Sequence, residues 1–168
     1  AEILNEYLAE MTEAVFEHGG TVDKFVGDAV MAIFGAPEEM NPNQQVQQAI
    51  AAARQMHDCL DRLNQRWQDR GLDRVRFRCG IHQGTAVVGM FGGPERTDYT
   101  AIGPNVNIAA RLQEATDPDT ILVSAAVADY LDDEEIVKFQ PLKFKGVDET
   151  VLTFIVHPEA KPSASVNS

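Results

Sequence analysis

Cations are scarce in this 168-residue chain: 14 Lys and Arg stand against 26 Asp and Glu, a net charge of -12. That balance argues against nucleic acid as a partner, since a phosphate backbone needs a basic face. It leaves room for a small polyphosphate, which needs only a few local cations and a divalent metal. Cysteine is scarce too. Cys59 and Cys79 lack metal-ligand spacing and fall in a helical and a strand pattern, so both read as reduced thiols in or near the core. Reduced thiols fit a reducing, cytoplasmic setting. No run approaches the roughly 18 to 20 apolar residues of a membrane span, and no secretory pattern opens the chain. There is no G-x-G-x-x-G between a strand and a helix and no P-loop, which disfavours a Rossmann or P-loop nucleotide site.

What is present is an ordinary globular balance, 44% hydrophobic and 24% charged, with enough chain for one domain and a sizeable core. The opening stretch AEILNEYLAEM is amphipathic, as a cut into a longer protein would be. Ile3, Leu4, Leu8, Met11 and Val15 recur at helical spacing, and Gly19-Gly20 ends that helix. Residues 20–34 read as two short strands about a Gly27-Asp28 turn, the second apolar on both faces like a central strand. Asn41 is a candidate N-cap with Pro42 in the first turn. The helix they open carries Val46, Ile50, Ala53, Met56, Leu60, Leu63 and Trp67 on one stripe and stops at Gly71.

Residues 74–90 read as strand, bent or bulged at the glycines, before a Gly-Gly-Pro loop at 92–94. A strand over Arg96–Ile102 leads into a helix that begins at Gly103-Pro104 and runs to about Glu114. Thr120–Val123 reads as strand, Ala125–Leu131 as short helix, and residues 136–157 as two or three strands. The irregular alternation and the hairpin-like pairs predict an α+β fold, with a mostly antiparallel sheet and helices packed on one face.

Three constellations carry possible chemistry. In Asp23-Lys24-Phe25-Val26-Gly27-Asp28-Ala29-Val30, a turn holds Asp28 exposed at a strand end. Mg²⁺ favours such a carboxylate, though Asp beside Gly also serves simply to form turns. In Tyr99 to Arg111, a Gly-Pro turn starts a helix on which Asn107 and Arg111, four apart, leave the same face. Val106, Ala109 and Leu112 occupy the opposite face. A neutral donor and a guanidinium near a helix N-terminus can clamp a phosphoryl group; a solvated Asn and a surface Arg are the other reading. In Lys143-Phe144-Lys145-Gly146, the lysines either hold polyphosphate or guard an edge strand.

Taken in order, DKFVGDAVMAIFGAP, CGIHQGTAVVG, DYTAIGPNVNIAARL and LKFKG resemble the class III adenylyl and guanylyl cyclases over residues 1–157. Residues 158–168 read as a polar, disordered tail. The resemblance implies a ferredoxin-like, palm-like α+β core and a head-to-tail homodimer with its active sites at the interface. It implies that Asp28 is the second of two metal aspartates and that Asn107 and Arg111 form the transition-state pair. Lys24 and Thr100 are similar to the base-reading residues, and Lys145 to the lysine on the terminal phosphates. Mg²⁺ or Mn²⁺ in a two-metal site is implied, with Ca²⁺ a further candidate. GMFGGPERTDY would be a dimerisation arm by the same likeness, and locally a Gly-rich hairpin.

Adenine offers an N1 acceptor and an N6 donor, which Lys24 and Thr100 can match. Guanine reverses that edge, and similar guanylyl cyclases carry Glu and Cys at these positions. The expected activity is therefore conversion of ATP to 3′,5′-cyclic AMP and pyrophosphate. Thr100 also resembles the residue of the subgroup that includes bicarbonate-responsive cyclases, so bicarbonate sensitivity is an expectation. The family's first metal aspartate lies in an F-x-D-I-x-x-F block upstream of the first helix, and residues 1–18 hold no substitute. The chain is thus expected to begin after that strand, with regulatory domains upstream in the same protein. A guanylyl cyclase and a non-catalytic regulatory dimer module stay as alternatives, whereas the G-G-D/E-E-F block of diguanylate cyclases is absent.

Overall fold

The computed structural model describes residues 2–93, 96–144 and 150–158; Lys145, Pro94 and the tail from Glu159 lie outside these. Helix α1 (Glu2–Glu17) presents Met11, Ala14 and Val15 inward, as its periodicity predicts. The chain then turns at Gly19, whose φ of 78° favours glycine. Strands β1 (Thr21–Val26) and β2 (Ala29–Ile33) form an antiparallel hairpin about Gly27-Asp28. Among the described residues β2 pairs with β1 alone, and all five of its residues are half-buried. The fully buried central strand expected here is therefore not observed, because the second edge of β2 carries no partner strand among these residues.

Helix α2 (Pro42–Asp69) forms the main wall of the core. Asn41 and Gln44 close a capping box: the Asn41 side chain accepts from the Gln44 N–H at 2.8 Å, and the Gln44 side chain accepts from the Asn41 N–H at 3.1 Å. The α2 stripe of Val46, Ile50, Ala53, Leu60, Leu63 and Trp67 packs on Phe77, Ile121, Val123, Val127, Ala128 and Val156.

Residues 74–90 depart from the strand, bent or bulged at its glycines, that is expected of them. Only Arg78–Ile81 (β3) and Val87–Gly93 (β4) are extended ladders. Upstream of β3, the Asn64 side chain donates to the Val75 carbonyl and accepts from the Val75 N–H, both at 2.9 Å. One side-chain amide thereby takes the backbone groups a sheet neighbour would have taken. Gly92 and Gly93 belong to β4 rather than to a loop.

Strand β5 (Arg96–Ile102) pairs antiparallel with β4 in a register that sets Thr100 opposite Gly89. Helix α3 (Pro104–Ala115) follows, then β6 (Thr120–Ser124), the short helix α4 (Ala125–Ala128) and a 3₁₀ turn at Asp133–Glu135. The C-terminal part supplies four short strands: β7 (Ile136–Lys138), β8 (Leu142–Lys143), β9 (Thr150–Val151) and β10 (Thr153–Val156). The main sheet has the order β3-β6-β10-β7, with β3 parallel to β6 and the other pairs antiparallel. The α+β class with a mostly antiparallel sheet holds.

Gly80 on β3 lets α3 lie close against the sheet. A Cβ there would come within 2.7 Å of the Ala109 carbonyl oxygen on α3. Leu112 on α3 is fully buried beneath this contact. Both thiols are free; burial raises the Cys59 pKa and pushes that of Cys79 up to about 12.

Candidate active site

Asp23 marks where β1 leaves regular pairing. Val22 pairs with Ala32 and Lys24 with Met31, so Asp23 is the extra residue of a β-bulge. A bulge re-aims a side chain, and the Asp23 side chain is 0% exposed. Its Oδ1 and Oδ2 lie 2.8 and 2.9 Å from the Thr100 hydroxyl, and Oδ2 also accepts from the Ala101 N–H at 2.9 Å. The Lys24 ammonium sits 3.8 Å from Oδ1 and is about half exposed. Lys24 and Thr100, 76 positions apart in the chain (100 minus 24), therefore meet in one cluster through a residue with no role assigned from the sequence.

Helix α3 is anchored from below its first turn. Gly103 has φ 145° and Pro104 occupies the first helical position. The Asn105 side-chain Oδ1 accepts from His82 Nε2 at 2.8 Å, and its Nδ2 donates to the Thr85 backbone carbonyl at 2.8 Å. His82 Nδ1 in turn lies 2.7 Å from the Ser124 hydroxyl. Burial lowers the His82 pKa, against a smaller opposing effect of the Asn105 bond, so the ring is neutral at pH 7 and Ser124 donates to Nδ1. The residues around the Gly-Pro turn are thus tied to β3 and β6 before the exposed face of α3 begins.

On that face stand Asn107 and Arg111, both exposed. The Arg111 guanidinium lies over the Phe144 ring, 5.4 Å from its centroid, and its Nε is 3.8 Å from Glu114. The stacking brings the α3 pair beside the segment that leads to Lys145. Asp28 is exposed in the β1–β2 turn, where Gly27 takes φ 63°. It also lies near Tyr7 of α1, whose phenol pKa is raised first by burial and then by the Asp28 charge. Among the described residues, no hydrogen bond or ion pair joins Asp28 to Lys24, Thr100, Asn107 or Arg111. Nor do three or more His, Cys, Asp or Glu side chains gather there in a metal-binding group.

The model of the adenylate and guanylate cyclase catalytic domain matches residues 1–158. The chain belongs to that family. Adenylate cyclase 1 of Rhizobium meliloti (strain 1021) is 39% identical over 150 residues, 86% of this chain and 22% of that protein. Adenylate cyclase of Anabaena cylindrica is 34% identical over 159 residues, 91% of this chain and 31% of its own length. The chain thus spans less than a third of these two relatives. The crystal structure of the adenylyl cyclase CyaB from P. aeruginosa superimposes with a TM-score of 0.85 at 33% identity, covering 95% of this chain and 82% of that one. The guanylyl cyclase Cya2 superimposes with a TM-score of 0.86 at 29% identity, covering 97% and 82%.

Within this cyclase domain, the sequence singles out Lys24, Thr100, Asn107, Arg111, Asp28 and Lys145, the last outside the described residues, and gives no role to Asp23 or His82. Nothing local marks Asp23, because the bulge that buries it appears only when β1 pairs with β2. Nothing local marks His82 either, because its partners, Asn105 and Ser124, lie far off in the chain. No helix among the described residues is long and apolar enough to cross a membrane.

Proposed function

We propose that this chain is the catalytic domain of an adenylyl cyclase, forming 3′,5′-cyclic AMP and pyrophosphate from ATP at a homodimer interface. The observation that carries the reading is the Lys24–Asp23–Thr100 cluster, which sets a long cationic donor on the β1–β2 hairpin beside a hydroxyl on the β4–β5 hairpin. Lys24 donates to adenine N1 and Thr100 accepts from the N6 amino group. Asn107 and Arg111 hold the ribose and the α-phosphate, and Lys145 binds the terminal phosphates. In the reaction, the ribose 3′-oxygen bonds to the α-phosphorus and loses its proton. The bond from the α-phosphorus to the bridging oxygen breaks, and pyrophosphate leaves with that electron pair. Arg111 stabilises the charge that builds on the α-phosphoryl oxygens.

Asp28 fits a divalent cation, Mg²⁺ or Mn²⁺. It is exposed on a fixed turn, and Mg²⁺ is usually held by one or two carboxylates together with substrate phosphates. Such a cation, when bound, lowers the pKa of the attacking hydroxyl and neutralises the triphosphate.

Two observations support a second copy as the partner. Phe25 and Val26 on β1, Val87 and Met90 on β4, and Ile102 on β5 are exposed apolar residues on the two hairpins that carry the cluster. Among the described residues, Asp28 also makes no bond to the α3 pair within its own chain, which fits a site completed by a partner. A cytoplasmic setting and regulation by further domains of the same protein complete the proposal.

The deciding experiment is cyclic nucleotide formation by the whole encoded protein with Mg²⁺ or Mn²⁺, comparing ATP with GTP. Cyclic AMP from ATP is expected. Preferred turnover of GTP favours the guanylyl cyclase reading, which the likeness to Cya2 keeps in view. No turnover of either favours a regulatory dimer module. Thr100 also carries the proposal that bicarbonate stimulates turnover; unchanged rates at constant pH with added bicarbonate would rule that out.

A further inference from the structure

We infer that Asp23 sets the hydrogen-bonding polarity of the base-reading pair, making Thr100 an acceptor toward the purine beside Lys24, whose ammonium can only donate. The inference rests on the reading of Lys24 and Thr100 as base contacts and adds a third, buried residue that contributes to selectivity.

A threonine hydroxyl is an ambiguous reader of a base, because it can donate or accept. Here the ambiguity is removed from behind. The Ala101 N–H can only donate, so Asp23 Oδ2 is committed as an acceptor at 2.9 Å. Oδ1 faces the Lys24 ammonium at 3.8 Å, which commits it in the same sense. The single hydroxyl hydrogen of Thr100 therefore points to the carboxylate, at 2.8 and 2.9 Å from its two oxygens; the competing Ala101 carbonyl is farther, at 3.4 Å. What Thr100 has left for a ligand is lone pairs. Lone pairs suit the 6-amino group of adenine and repel the 6-oxygen of guanine or hypoxanthine. A carboxylate with a fully buried side chain needs polar partners; here Thr100 and the Ala101 N–H donate to it, and the Lys24 ammonium faces it as an ion pair. The bulge is what makes this geometry, since regular alternation would send Asp23 and Lys24 to opposite faces of β1.

Asp23 is thus a positioning residue, and selectivity is the readout that separates this role from a mere tether between β1 and β5. In Asp23→Asn, the amide oxygen keeps the Ala101 N–H and the amide nitrogen faces Thr100. The hydroxyl then gains a donor on that side, can accept from it, and is free to turn its own proton outward.

The test is kcat/KM of the whole protein for three substrates: ATP, inosine triphosphate with a 6-oxygen, and purine riboside triphosphate with no 6-substituent. The wild type is expected to favour ATP over both, and Asp23→Asn to reduce the ATP-to-inosine ratio on the order of tenfold or more. Thr100→Val should abolish the preference for ATP over purine riboside triphosphate, and the double variant should lose no more selectivity than Thr100→Val. A wild-type ATP-to-inosine ratio in Asp23→Asn, accompanied only by a lower melting temperature, overturns the inference. So does a Thr100→Val enzyme that keeps its preference for the 6-amino group, which decides the matter even if Asp23→Asn does not fold. Selective cyclic AMP synthesis with unmoved ratios sinks this inference alone; no cyclic product from ATP in the wild type sinks the proposed function with it.

Discussion

Individual side chains in this domain divide into those the proposal sets against a ligand and those that hold them. Arg111 faces outward: it is about half exposed, stacked on Phe144, and its exposed pair with Glu114 contributes little. Arg111→Ala and Asn107→Ala should each lower kcat by on the order of a hundredfold, with a smaller effect on ATP binding. Steady-state kinetics beside a nucleotide-binding titration will show this, and unchanged kcat in both removes them from the chemistry. His82 is of the holding kind. Burial depresses its pKa below the ordinary 6.5, so the unfolded chain takes up this proton at a higher pH than the folded one. Its contribution to stability is therefore complete above pH 6.5 and is lost as pH falls below it. Thermal melts from pH 7.5 to 5.5 should fall in the wild type, and fall less in His82→Gln. Parallel curves would mean that other groups dominate.

At the level of elements, the closeness of α3 to β3 fixes where Asn107 and Arg111 stand. Gly80→Ala places a methyl against the α3 backbone around Ala109 and Gln113, which has no flexible side chain to yield. A loss of about 1 to 3 kcal/mol is expected from such overpacking, with a fall in kcat because the pair moves with the helix. Asn41→Ala is the contrast. It removes the α2 capping box, which shares no hydrogen bond with α3 among the described residues, so it should cost about 1 kcal/mol and leave kcat near the wild-type value. Urea melts and kinetics on the two variants separate packing that positions the site from packing that only stabilises. Helix periodicity and caps made α1, α2 and α3 legible in the sequence nearly to their ends. The stretch 74–90 was not legible in the same way, because Asn64 pairs with the Val75 backbone and interrupts the strand from a distance.

For the whole molecule, the proposal that each site is shared between two copies has a direct consequence. Asp28→Ala and Arg111→Ala proteins should each be inactive, yet mixing and re-equilibrating them should restore activity. Half the dimers would then be mixed, each with one intact site of two, so about a quarter of wild-type activity is expected. Failure of the mixture to regain activity, with dimers demonstrably exchanged, would mean that each site is built from one chain. What the sequence determined by itself was the class of fold, the order of the elements and the cyclase family. Those properties live in local periodicity, turn residues and short ordered blocks, which neighbours in the chain dictate. Only the tertiary structure decided that Asp23 rather than Lys24 is the buried member of its dipeptide, and that its carboxylate reaches Thr100. The same holds for His82, which ties α3 to β6 through Asn105 and Ser124. A bulge and a cross-strand hydrogen bond arise from the pairing of distant segments, and no local pattern encodes which distant partner a polar group will find.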